Sequence, residues 1–317
     1  MSGAENATEA VSSDEPVNVQ AYIVSKIQSM MYGFGDAQVP LLETACLVGN
    51  IVQQQMRSMI NHASDVAAMR GVKTIGLEEF IFLMRKDRVK LHRLLKYMDM
   101  KDVKNKVTGI LDEDAEDPEL ALDTPNRKLS QICMDFLSSI DSTGELIHTG
   151  DLPADIVKYE RQVRAERTSR TLDRRSYVEF VNARCSSFTN MRSGSKFRDW
   201  LQLNADGSHS ELPKITNNAY DLLGYLAYET VAQLVDLALL VRQDEQMRAG
   251  DAISRYVPGI GYSARHSLDS QQIETAAPLT PAEVREAVRR YWHSPMGSSL
   301  NFTRNITCQV DTKLFCC

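Results

Sequence analysis

Residues 42–70 run without a proline, and Leu42, Ala45, Gly49, Val52, Met56, Met59, Ala63, Val66 and Ala67 recur there at spacings of three and four. This spacing predicts one amphipathic helix with a single apolar stripe. At 1.5 Å per residue it would be about 43 Å long. Gly71 stands where a helix C-cap belongs. The flanking helical patterns are short. One covers 19–31 and is stopped by Gly33-Phe34-Gly35-Asp36 and Pro40; the other covers 77–86. Two short helices cannot cover so long a stripe, so a second unit of similar size must lie across it.

The chain supplies one. Residues 215–247 form another proline-free run, with Leu222, Leu223, Leu226, Ala227, Val231, Leu234, Val235, Ala238 and Val241. That surface is wider than one stripe, as expected of a helix buried on more than one face. Val52 and Met56 are assigned to the pairing core on one long helix, and Leu226 and Leu234 on the other. Phe197, Trp200 and Leu201 mark a short amphipathic helix before the second run. After it, Thr280-Pro281-Ala282-Glu283 opens a last helix, with Thr280 as N-cap, proline in the first turn and Glu283 completing a capping box. The two short final helices resemble each other. An aliphatic residue stands four before an acid (Ile75 and Glu79; Leu279 and Glu283), and two cations follow the acid by six and seven (Arg85-Lys86; Arg289-Arg290). Glu79 is assigned, like Glu283, to fold stabilisation, pairing near a loop cation such as Arg70 or Lys73. Glycine and proline together make up 26 of 317 residues, against roughly 12% in an average chain. The fold class expected is all-α.

The chain divides into a polar tail at 1–18, expected to be disordered, a first unit at 19–106 with an extra C-terminal helix, and an acidic linker and helical connector at 107–194. A second unit follows at 195–293 with an inserted loop at 249–277, then a tail at 294–317. Within the connector, 129–137 and 156–183 are helical patterns, and Arg161, Arg164, Arg167 and Arg170 repeat at intervals of three along a solvated or subunit-facing edge. The tail at 1–18 lacks the basic-then-apolar order of a signal peptide. The most apolar run is interrupted by Gln233 and Asp236, which argues against a membrane span. Six cysteines occur without a Cys-x-x-Cys pair, so neither a zinc site nor a disulfide framework is expected. No glycine-rich phosphate loop is present, and no histidine has an identifiable nucleophile and orienting acid, so neither an enzyme nor a cofactor site is expected. Asn301-Phe302-Thr303 and Asn305-Ile306-Thr307 are read as chance matches to the glycosylation pattern.

Short, long, short is the helix order of the histone fold. Particular stretches narrow the likeness: Gln28-Ser29-Met30-Met31-Tyr32 with Gly35-Asp36; Phe82-Leu83-Met84-Arg85-Lys86-Asp87 with Leu94-Leu95-Lys96-Tyr97-Met98; Ser195-Lys196-Phe197-Arg198-Asp199-Trp200-Leu201; Leu226-Ala227-Tyr228-Glu229-Thr230-Val231 through Val241-Arg242-Gln243-Asp244; and Pro278-Leu279-Thr280-Pro281 with Tyr291-Trp292. On these the chain resembles the third suppressor-of-Ty protein family over roughly 19–293. The resemblance implies two histone folds paired head to tail within one chain. It also implies a non-enzymatic nuclear coactivator subunit of a SAGA-type complex. Such a subunit would dock with other SAGA subunits, bind TATA-binding protein and help deliver it to RNA polymerase II promoters, with promoter DNA contacted only indirectly.

Charge placement bears on which surface does this. The net charge of −6 opposes a fold that wraps nucleic acid over its whole surface. The loop at 33–40 carries Asp36 and no cation, and that at 71–76 only Lys73, so nucleosome-like gripping of phosphate is not expected. The strongest basic cluster, 85–106, has nine cations against three acids. It is either a solvated helix face or a contact surface for an acidic partner or for promoter DNA near the delivered TATA-binding protein, and Arg88, Arg93 and Lys96 are taken from it as candidate partner contacts. Glu229 lies inside a very apolar segment, as does Asp236. If buried, each needs a partner; if outward, Glu229 could meet a basic face of TATA-binding protein. Trp200 and Trp292 are read as core or interface fillers. The alternative function is a histone-fold factor that binds promoter DNA itself; a purely structural subunit is a third reading.

Overall fold

The computed structural model describes residues 19–112, 128–146, 154–189, 191–203, 212–248, 277–292 and 314–315. Among these, ten helices follow one another: α1 (Val19–Phe34), α2 (Leu42–Met69), α3 (Leu77–Met84), α4 (Arg88–Asp112), α5 (Leu129–Ile140), α6 (Ile156–Thr171), α7 (Arg174–Arg184), α8 (Met191–Gln202), α9 (Asn217–Arg248) and α10 (Pro281–Trp292). The polar tail at 1–18, the acid-rich stretch at 113–119, the insertion at 249–277 except its last residue, both glycosylation-pattern sites, and Cys308, Cys316 and Cys317 lie outside the described residues.

The short–long–short succession occurs twice, as α1–α2–α3 and α8–α9–α10. The long helices α2 and α9 pack on each other, and α1 and α10 also pack on both of them. Val52, Met56, Leu226 and Leu234 are all buried in one continuous apolar cluster. The loops exchange contacts head to tail. Ile75, after α2, forms a short parallel bridge with Ile215, before α9: the Ile75 N–H donates to Lys214 O at 2.8 Å, and Thr216 N–H donates to Ile75 O at 3.0 Å. At the opposite end the Leu279 N–H, before α10, donates to the Asp36 carboxylate at 2.8 Å, and the Thr44 hydroxyl donates to Leu279 O at 2.7 Å. At that end a side-chain carboxylate supplies the acceptor that a peptide carbonyl supplies at the other. The architecture is thus the all-α histone fold, with its two helix triplets crossed so that each covers the other's stripe.

The same device secures the third helix of each triplet. Glu79 accepts from the Gly76 N–H at 2.7 Å and also pairs with Arg70, at the C-cap of α2. Glu283 accepts from the Thr280 N–H at 2.7 Å and from Arg242 Nε at 2.6 Å. The Glu283 N–H returns to Thr280 Oγ1 at 3.3 Å, closing the box. Arg242 also donates to Ala277 O and Pro278 O, so one guanidinium near the end of α9 ties down the residues just before α10. Burial pushes the Glu283 carboxyl up, but the Arg242 and Thr280 hydrogen bonds outweigh it, and the group sits below its ordinary value of 4.5. A depressed folded pKa stabilises above the ordinary value, and that stability is lost as pH falls through the folded value. Glu283→Gln is therefore expected to cost about 2–3 kcal/mol at neutral pH, combining the cap and the charge-assisted bonds. Urea titrations from pH 7 down to pH 3 should show the difference from the parent chain shrinking. A constant difference would mean that the carboxylate charge contributes nothing.

Three expectations change. The helix expected over 156–183 is two helices, because Leu172 is extended and the Asp173 side chain caps a new start by accepting from the Arg175 N–H at 3.1 Å. Aspartate in front of two arginines was the available signal, but the regular arginine spacing reads straight through it. Second, α9 is, by length and mean hydropathy, apolar enough over Asn217–Glu245 to cross a membrane. Its apolar faces are instead packed against α1, α2, α8 and α10. Third, Leu314 and Phe315, in a tail with no sequence pattern, are buried against the core.

Candidate partner-binding surface

Glu229 and Asp236 are seven residues apart on α9, two turns along one face. Three arginines meet them. Arg93 of α4 donates to Glu229 at 2.7 Å and reaches the Asp155 carboxylate at 2.7 and 2.9 Å. Arg161 of α6 bridges both acids of α9, at 2.9 Å to Glu229 and 2.5 Å to Asp236. Arg164, one turn on, completes the set on Asp236. Asp155 also caps α6, accepting from the Lys158 N–H at 3.0 Å. The array therefore laces α4, α6 and α9 together.

The array is largely withdrawn from water: the Arg93, Arg161, Glu229 and Asp236 side chains retain 11–18% of their exposure. Desolvation works against the Arg93 charge, yet Asp155 and Glu229 more than restore it, and its pKa lies above the ordinary arginine value. Burial likewise pushes Asp155 up, but Arg93 and the helix N–H bring it below the usual carboxylate range. Stacked Tyr97 and Tyr225 rings, 4.2 Å apart, join α4 to α9. The Tyr228 hydroxyl is pushed up to about 12, by burial first and then by neighbouring Glu229.

Of the two sequence readings of Glu229 the geometry realises the buried, paired one and not the outward contact, and it corrects the reading of Arg93 as an outward contact: the two bond to each other. Satisfying one buried charge with another is the reason, since either alone would be costly. Arg161 and Arg164, read as a solvated edge, turn inward, while Arg167 stays exposed and Arg170 pairs with Glu166 on the surface. Arg88, the first residue of α4, is half-buried, and Lys96 is exposed.

Around the array lies a different surface. On α4, Met100 is 61%, Val103 50% and Val107 53% exposed, flanked by exposed Lys96 and Lys104. Met100 is two turns from Arg93 and shares its face. Next to Asp155, at the start of α6, Ile156 and Tyr159 are each 64% exposed. An apolar series interleaved with lysines, on helices braced from beneath by ion pairs, is suited to protein recognition. The spacing of Met100, Val103 and Val107 was visible in the sequence, but the density of charge around them hid it. Among the described residues no cluster of His, Cys, Asp and Glu could hold a metal. Cys133 is buried, and its thiol is pushed up to about 12, chiefly by desolvation.

Residues 21–113, which cover most of α1 and all of α2–α4, match the family of the transcription initiation factor IID 18 kDa subunit. Most of the chain is similar to SAGA complex subunit Spt3 of Schizosaccharomyces pombe, at 30% identity covering 84% of this chain and 88% of that protein. The Drosophila melanogaster SAGA complex subunit Spt3 is 31% identical, over 92% of this chain and 71% of its own length. Transcription initiation factor TFIID subunit 13 of Arabidopsis thaliana is 33% identical but covers only 29% of this chain.

Proposed function

Since this chain belongs to the Spt3 family of SAGA complex subunits, we propose that it is a non-catalytic coactivator subunit that works in the nucleus and holds TATA-binding protein for delivery to RNA polymerase II promoters. Other SAGA-type subunits are its assembly partners, and promoter DNA is reached through the protein it delivers. Lys96, with Met100 and Lys104, makes the direct contact in this reading. Arg93 and Glu229 act beneath it, fixing the angle of α4 against α9, and half-buried Arg88 at the start of α4 is a further contact in this reading.

The observation that carries the reading is the exposed apolar and basic ridge on α4, seated on a paired, cross-braced helical frame. The frame supplies rigidity and the ridge supplies recognition; no bond chemistry is required. The test is a double charge reversal, Lys96→Glu with Lys104→Glu, in a tagged chain purified with its assembly. TATA-binding protein retained should fall about tenfold, equivalent to about 1.4 kcal/mol, with the other subunits unaffected. Unchanged retention would remove the ridge from the mechanism. Binding of naked duplex by the parent chain, falling steeply with salt, would favour the direct DNA-binding alternative instead.

A further inference from the structure

Gln55 is 1% exposed in the middle of the α2 stripe, where a buried amide is costly unless it is hydrogen-bonded. Its Oε1 accepts from the Phe315 N–H at 3.0 Å. Lys90 Nζ of α4 donates to Phe315 O at 2.9 Å, and the Tyr291 hydroxyl of α10 donates to Leu314 O at 3.0 Å. The Phe315 ring is fully buried. It stacks on Tyr291 at 4.2 Å with 14° between the planes, and lies 6.4 Å from the Trp292 ring. Three side chains from three helices thus read the backbone of a two-residue segment, and an aromatic slot takes its side chain. Both triplets contribute: Gln55 and Lys90 precede the connector, and Tyr291 and Trp292 follow it.

We propose that α2, α4 and α10 form a peptide-recognition site for an aliphatic–aromatic pair, and that residues 314–315 are its in-cis ligand, held reversibly. Backbone bonds fix the segment's direction, and the slot selects the aromatic residue. So small a contact is weak between separate molecules; covalent attachment raises its effective concentration to the millimolar range. Displacement of 314–315 would uncover the Tyr291–Trp292 slot and loosen α10 from α4.

A fluorescein-labelled, amidated peptide of residues 309–315 is the probe. Full-length Phe315→Ala chain should bind it saturably. Wild-type chain should bind at least about tenfold more weakly, because its own segment competes. An unlabelled peptide with alanine in place of phenylalanine should not displace the probe, and Lys90→Met added to Phe315→Ala should weaken binding several-fold. Absence of saturable binding to Phe315→Ala, or equal binding to both chains, overturns the proposal. Should Phe315→Ala fail to fold by circular dichroism, a protease site placed within 294–307 allows the segment to be cut from folded wild-type chain. Release of the cut fragment on dialysis and its rebinding on addition support the site. A fragment that never leaves, or never rebinds, rejects it.

Discussion

Residues 19–112 produced by themselves are expected to aggregate or self-associate rather than remain a compact monomer. In the whole chain α2 is covered by α1, α3, α8, α9 and α10, and the fragment lacks the last three. Their loss exposes parts of a stripe in which Val52, Met56, Met59 and Ile60 are fully buried. Each such side chain gains roughly 1.5–3 kcal/mol from burial, whereas a whole domain is stable by only about 5–15 kcal/mol. Polar ties go as well. Gln53 donates to Trp200 O and Leu203 O, and Arg57 to Leu201 O, so two α2 side chains cap the end of α8. Size-exclusion chromatography with light scattering and a hydrophobic dye reports the outcome. A dye-silent, cooperatively melting monomer would contradict the pairing argument, whereas recovery of solubility on co-expression with 191–292 would support it directly.

Glu229→Lys should be the most damaging single substitution at the charge array. It would place a third cation between Arg93 and Arg161, which are 11% and 13% exposed and already share that carboxylate. Removing one member of a buried ion pair costs about 3–5 kcal/mol. Residual solvent access holds the expected loss near the lower end, about 3 kcal/mol. Glu229→Gln, which keeps the shape and an acceptor, should cost less. Chemical denaturation of the full chain measures both, and pairing Glu229→Arg with Arg161→Glu should recover part of the loss. If Glu229→Lys melts with the parent, the array is a screened surface feature. The same variant separates support from contact. Loss of TATA-binding protein capture through Glu229→Lys should come with destabilisation of about 3 kcal/mol, whereas loss through Lys96→Glu and Lys104→Glu should come with less than about 1 kcal/mol, as for exposed charges.

Different parts of the molecule were legible to different degrees. The long helices, the Thr280–Glu283 box and the matching positions of Glu79 and Glu283 are written in spacings of three and four residues. The charge array is not. Arg161 lies 68 residues from Glu229 and 75 from Asp236, and an arginine at helical spacing looks alike in sequence whether it faces water or a buried acid. Asp36 reads as a loop residue, yet it is 5% exposed and accepts a backbone bond from a loop 243 positions away. Phe315 follows no periodic pattern, so only the slot that receives it gives it meaning.

By itself the sequence determined that two long helices must form and must shelter each other. Helix periodicity and capping are settled among near neighbours, and an apolar stripe of that length is unstable in water without a cover. The tertiary structure alone decided which charges became internal braces, which lysines stayed outside, and where the tail residues bind. Those outcomes depend on the distance and dielectric between groups far apart in the chain, which exist only once α4, α6, α9 and α10 have met.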